Sequence, residues 1–111
     1  MLYLVRMDVN IPLDMPREQA EAIRAEEREY SQQLQRDRRW VHLWRVVGEY
    51  SNYSVFEVAD NDELHALLSD LPLFRYMAIK VTPLAKPRST DEPSAQATTP
   101  AQARAAAAST G

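Results

Sequence analysis

Residues 40–58 constrain this fold more than any other stretch. They read Trp40-Val-His-Leu-Trp-Arg-Val-Val-Gly48 and then Ser51-Asn-Tyr-Ser-Val-Phe-Glu-Val58. Strict alternation places Trp40, His42, Trp44 and Val46 on one strand face and Val41, Leu43, Arg45 and Val47 on the other. Neither face is cleanly polar, so such a strand lines an interface or a pocket rather than meeting water on one side. Gly48 to Asn52 supplies a turn, and the pattern predicts an antiparallel hairpin of Trp40–Val47 with Tyr53–Val58.

The flanking segments extend the pattern. Leu2 to Val9 alternates and is rich in Leu, Val and Tyr, which predicts a strand. Pro12 and Pro16 punctuate a loop in which Asp14 is the expected N-cap. Arg17 to about Arg36 is rich in Ala, Glu, Gln and Arg and predicts a long helix. Asp60 with Glu63 forms a capping-box pattern. Leu64, Leu67, Leu68 and Leu71 then recur at helical spacing, and Pro72 stops the helix. Met77 to Pro83 is the last predicted strand. The order βαββαβ predicts an α+β, ferredoxin-like fold: one four-stranded antiparallel sheet with both helices on one face. The other sheet face is left apolar and bare, so the sheets of two subunits are expected to pair as a dimeric α+β barrel. The expected domain spans residues 1–85. Residues 86–111 turn to Pro, Ala, Ser and Thr without large apolar side chains, which predicts a disordered tail in which Ala105–Ala108 is at most weakly helical.

Several function classes are excluded by composition. A net charge of −3 without a long basic run argues against nucleic acid, although Arg36, Arg38 and Arg39 cluster. The chain has no cysteine, which removes disulfides, thiol catalysis and thiolate metal sites and agrees with a cytoplasmic location. Two glycines cannot build a phosphate-cradling loop. His42 and His65 lack metal-ligand spacing, so no metal is expected. The apolar run Met1–Val5 ends at Arg6, too short for a signal segment or a membrane span.

One carboxylate breaks the pattern of the long helix. The apolar stripe is Ala20, Ile23, Tyr30 and Leu34, and Glu27 falls within it, whereas Glu26 and Arg28 point away. A carboxylate facing an apolar layer loses hydration, its pKa rises, and it becomes a proton acceptor of useful strength. The competing reading pairs Glu27 with Arg6, Arg45 or His42 in a purely structural ion pair. Likewise, Trp40 and Trp44 read as packing or interface anchors and His42 as a hydrogen-bonded core residue.

A set of motifs adds to this reading. Met1-Leu-Tyr-Leu-Val-Arg-Met7, Leu13-Asp-Met15, Glu27, Trp40-Val-His-Leu-Trp-Arg45, Asn52-Tyr-Ser-Val-Phe56, Leu71-Pro-Leu-Phe74 and Tyr76-Met77 resemble, in order and spacing, the muconolactone Δ-isomerase family. The resemblance spans residues 1 to about 84. It implies a cofactor-free isomerase of the catechol branch of the β-ketoadipate pathway, converting muconolactone to 3-oxoadipate enol-lactone. It also implies a homo-oligomer, a decamer built from dimers. Such chemistry needs a base, a donor for the lactone carbonyl oxygen and a cation for the substrate carboxylate. Glu27 is the expected base. His42, with Tyr53 or Ser54, is the expected oxyanion donor, and Tyr30 an expected substrate contact. Arg45 or Arg6 is expected to hold the carboxylate. On an ideal strand His42 and Arg45 leave opposite faces, so both line one pocket only if a bulge intervenes. Two further readings stay open: a chloromuconolactone dehalogenase, which shares the base, and a non-catalytic ferredoxin-like binding module.

Overall fold

The computed structural model describes residues 1–88. The predicted tail therefore lies outside the described residues from residue 89 onward. Strands β1 (Leu2–Val9), β2 (Trp40–Arg45), β3 (Ser51–Glu57) and β4 (Met77–Leu84) form one antiparallel sheet in the order β2-β3-β1-β4. Helices α1 (Arg17–Arg36) and α2 (Asn61–Ser69) complete the expected βαββαβ order. A 3-10 turn, Phe74–Tyr76, leads into β4.

Alternation along β1 sends Tyr3, Val5 and Met7 into the core at 1%, 0% and 0% exposure. These pack with Phe56 and Val58, with Tyr30 and Leu34 of α1, and with Leu64, Leu67 and Leu68 of α2. Both helices thus cover the same sheet face. Leu4, Arg6 and Asp8 leave β1 on the opposite face, beside Val55, Tyr53 and Ser51 of β3.

The structure corrects three local expectations. First, α1 has Pro16 at its N-cap with no side-chain cap hydrogen bond, so Asp14 does not cap it. Proline has no side-chain acceptor for the first-turn amides; what Pro16 contributes is a fixed φ at the turn into the helix and a C=O that accepts the first helical bond from Ala20 N–H at 3.0 Å. By contrast, the Asp60 side chain does accept from Glu63 N–H at 2.8 Å at the start of α2. Second, the hairpin strands are Trp40–Arg45 and Ser51–Glu57 rather than Trp40–Val47 and Tyr53–Val58. Val46 N–H donates to Ser51 C=O at 3.0 Å, and Gly48, at φ 78°, turns the chain within a conformation that side chains disfavour.

Third, the face assignment of β2 fails at a bulge. Trp40 opposes Phe56 and His42 opposes Val55, so two steps along β2 match one along β3 and Val41 is the extra residue. Trp40 therefore points to the helix-covered face with Leu43 and Arg45. His42 and Trp44 point to the other face, where their rings stack at 4.9 Å. Alternation counts residues, and a bulge changes the count without leaving a mark in composition.

The end of α1 holds a strained residue. Arg39 N–H donates to Leu34 C=O at 3.0 Å and Arg38 N–H to Gln35 C=O at 3.1 Å, the paired bonds of a Schellman turn. Arg38 sits at the position usually taken by glycine, with φ 60°. Arg38→Gly is expected to stabilise the fold by about 1 kcal/mol and raise Tm by about 4–8 °C, read by thermal melting. A lower Tm would show that the arginine side chain contributes more than its backbone strain costs.

Candidate functional site

A cavity of about 460 Å³ lies between α1 and the β2–β3 hairpin, on the helix-covered side of the sheet. Its position follows from the chain reversal at Asp37–Arg39. That reversal lays β2 back along α1, and Trp40 joins Leu34 in the buried core. Arg45 lies at the far end of β2. Helical spacing places Arg24, Glu27 and Ser31 one turn apart along the same wall.

Glu27 occupies the middle of that wall and is half-buried. Its Oε2 accepts from Leu73 N–H at 3.3 Å. Burial pushes its carboxyl above the ordinary carboxylate range, and the Leu73 hydrogen bond offsets part of that rise. The ion pairs among the described residues are Arg6–Asp8, Arg6–Glu49 and Arg17–Glu21, and none engages Glu27. The purely structural ion pair considered from the sequence is therefore not formed. One carboxylate oxygen accepts from backbone, and the other has no protein donor among the described residues.

The cavity is cationic: Arg24, Arg28 and Arg45 all line it, and Arg24 and Arg45 meet at Tyr50. Tyr50 lies between two guanidiniums, with the Arg45 carbon 5.3 Å and the Arg24 carbon 5.8 Å from its ring centroid. Val9 N–H donates to Tyr50 C=O at 3.0 Å and anchors this turn to β1. Asn52 lines the same cavity, and its Oδ1 accepts from the Ser54 hydroxyl at 2.8 Å. That bond orients the Asn52 amide so that its NH₂ remains available as a donor.

The expected site residues thus separate. Glu27 and Arg45 share the cavity. Ser54 is fully buried and reaches it only through Asn52. The Tyr30 hydroxyl donates to Leu67 C=O at 3.1 Å, tying α1 to α2. Burial first, then the Asp70 carboxylate, holds its phenol above the ordinary value. His42, Arg6 and Tyr53 lie on the other sheet face, so within one chain they do not meet Glu27. There Arg6 pairs with Asp8 and Glu49 at 3.0 Å each and lies 5.1 Å over the Tyr53 ring. The Ser51 hydroxyl, first, and the Arg6 guanidinium hold the Asp8 carboxyl below its usual range. Arg6 is thus already occupied by two carboxylates, whereas Arg45 makes no ion pair among the described residues.

Trp40, Arg24, Tyr50 and Asn52 were not singled out as site residues from the sequence. Alternation alone reads Trp40 as a packing residue, and the bulge turns it to the helix-covered face, where it lines the cavity. Tyr50 was assigned to a turn. Arg24, four residues after Ala20 and three before Glu27, was the one legible from helical spacing. No group of three or more His, Cys, Asp or Glu side chains able to hold a metal occurs among the described residues. No helix among them is long and apolar enough to cross a membrane.

Comparison with known proteins addresses the family and the fold. The profile of the muconolactone delta-isomerase family matches residues 1–90. The chain is 66% identical to the muconolactone Delta-isomerase of Cupriavidus pinatubonensis, over 78% of this chain and 94% of that protein. It is 60% identical to muconolactone Delta-isomerase 1 of Acinetobacter lwoffii, over 78% and 90% of the respective chains. A muconolactone isomerase crystal structure at 3.3 Å superposes with a TM-score of 0.77 at 46% identity, covering 83% of this chain and 96% of that one.

Proposed function

This chain belongs to the muconolactone delta-isomerase family, and we propose that it isomerises muconolactone to the enol-lactone with Glu27 as the single proton carrier. The observation that carries the assignment is a half-buried carboxylate of raised pKa, without an ion-pair partner among the described residues, in a cavity that Arg24, Arg28 and Arg45 line together with Leu43, Leu73 and Met77.

The reaction moves one carbon–carbon double bond by one position. Ionised Glu27 takes the proton from the ring carbon bearing the carboxymethyl arm. The C–H electron pair enters the ring π-system, and negative charge develops on the lactone carbonyl oxygen. Glu27 then returns the proton to the ring carbon next to that carbonyl, which leaves the double bond at the arm-bearing carbon. One base on one face of the ring does both transfers, and nothing is oxidised or reduced overall. The raised pKa suits both steps, since the group must accept and then release a proton. The Leu73 N–H bond to Oε2 keeps the carboxylate in place while its free oxygen works.

Arg45, supported by Arg24 and Tyr50, holds the substrate carboxylate, because a guanidinium offers paired donors to two oxygens. This arrangement takes the carboxylate role away from Arg6. Arg45→Ala is expected to raise KM for muconolactone about 10- to 100-fold with a smaller change in kcat, as fits a charge-assisted contact made in both ground and transition states. An unchanged KM would remove Arg45 from substrate binding. Purified protein mixed with muconolactone and followed in the ultraviolet tests the activity itself, and absence of turnover would overturn it.

The open sheet face gives a place to the remaining expected residues. It exposes Trp44 at 56% alongside the half-buried Leu4 and Val55, and three of its charges, Arg6, Asp8 and Glu49, pair with one another. A second copy docked sheet to sheet would cover that apolar surface. We assign His42, Arg6 and Tyr53 to this contact, in a homo-oligomer assembled from such dimers. A cytoplasmic setting accords with a chain without cysteine.

A further inference from the structure

We propose that the Trp40 indole N–H is the hydrogen-bond donor to the lactone carbonyl oxygen, a role that rests on the isomerase reading above. Trp40 is 4% exposed and lines the cavity. Its Nε1 is the only buried side-chain nitrogen or oxygen among the described residues that has no hydrogen-bond partner. An indole nitrogen only donates, so its missing partner is an acceptor. Buried donors are nearly always paired, and an orphan is a candidate for pairing with a ligand.

The order of groups along the cavity specifies which acceptor. Arg45 and Arg24 both approach the Tyr50 ring and so mark one end. Trp40 begins β2, five residues before Arg45, and helical spacing puts Glu27 one turn beyond Arg24, so Glu27 lies between the Tyr50 end and Trp40. In muconolactone the carboxylate arm and the carbonyl oxygen lie at opposite ends of the molecule, and the two carbons that exchange the proton lie between. Seating the carboxylate on Arg45 sets those carbons at Glu27 and sends the carbonyl toward Trp40. The indole stays in place because its ring packs on Phe56, with centroids 4.8 Å apart and planes tilted by 32°. A donor already fixed and shielded from bulk water needs no reorganisation as charge grows on the oxygen.

The decisive substitution exchanges Trp40 for L-3-benzothienylalanine, which keeps the bicyclic shape and places sulfur where the N–H stood. Trp40→Phe is the encoded companion. Expected for the sulfur analogue is a fall in kcat/KM for muconolactone of about 10²- to 10³-fold, with Tm no lower than the parent. A Trp that merely packs would leave kcat/KM at the parental value, with Tm again no lower. The second measurement follows the indole N–H proton resonances by NMR while adding the saturated lactone acid, which has no double bond to move. Trp44→Phe assigns the two indole signals. The Trp40 signal is expected to move downfield on binding. Parental kcat/KM in the sulfur analogue would overturn the proposal, as would a stationary Trp40 signal while the saturated lactone acid is present at saturating concentration. If the parent protein fails to turn over muconolactone, the activity assignment falls, and the Trp40 signal still decides whether the indole binds a lactone acid.

Discussion

Glu27→Gln is expected to lower kcat/KM for muconolactone by about 10²- to 10⁴-fold, the range set by removal of a positioned general base. The substitution keeps shape and keeps an acceptor oxygen for Leu73 N–H, so the cavity and its neighbours have no reason to move. Stability is expected to shift the other way. A carboxyl whose pKa is raised on folding adds stability below its unfolded pKa and loses it as pH rises through the folded one. At neutral pH the ionised Glu27 therefore weighs against the fold. The Gln variant is expected to melt no lower than the parent at pH 7, and any advantage should vanish in acid, where Glu27 is protonated. In the parent, kcat/KM should fall as pH drops through the raised pKa, because a protonated carboxyl cannot accept. Near-parental turnover by the Gln variant would remove Glu27 as the base. Asp8 supplies an internal contrast. Its carboxyl lies below its usual range, so the stability it adds is present above its unfolded pKa and is lost as pH falls.

The largest loss of stability is expected at Phe56→Ala. Phe56 is 0% exposed at the centre of the core, on a strand paired on both sides, by β1 and β2. Removing a buried phenyl costs about 3–5 kcal/mol from lost transfer energy and the cavity left behind. In a domain of this size, that corresponds to a fall in Tm of at least about 12 °C. Thermal melts and urea titrations at fixed protein concentration read the effect. The same change removes the ring that supports Trp40, so the folded fraction should also lose turnover while keeping Glu27. Phe56→Leu retains most of the volume and should recover more than half of the stability. A loss below about 1 kcal/mol for the alanine variant would mean that the core collapses freely around the gap.

The fold was readable because each of its signals is local. Period-two alternation in Leu2–Val9, the leucine spacing from Leu64 to Leu71 and the Asp60–Glu63 cap all act within a few residues. Their order allows few other topologies. Glu27 was readable for the same reason, since its phase relative to Ile23 and Tyr30 is a property of one helix. The strand faces around it were not. The extra residue at Val41 puts Trp40 and His42 on opposite faces, and nothing in the apolar pattern announces it. Ser54 was found as a residue but not in its position, because its hydroxyl turns inward to orient Asn52.

Taken alone, the amino-acid order determined the six-element topology, the inward carboxylate and the absence of thiol or phosphate-loop chemistry. These depend on periodicity and residue type, which short-range geometry converts directly into structure. Only the folded chain decided which arginine shares the cavity with Glu27, which stays locked to Asp8, and which indole is left without a partner. Those outcomes depend on register between segments far apart in the chain, where one bulged residue redirects every side chain that follows.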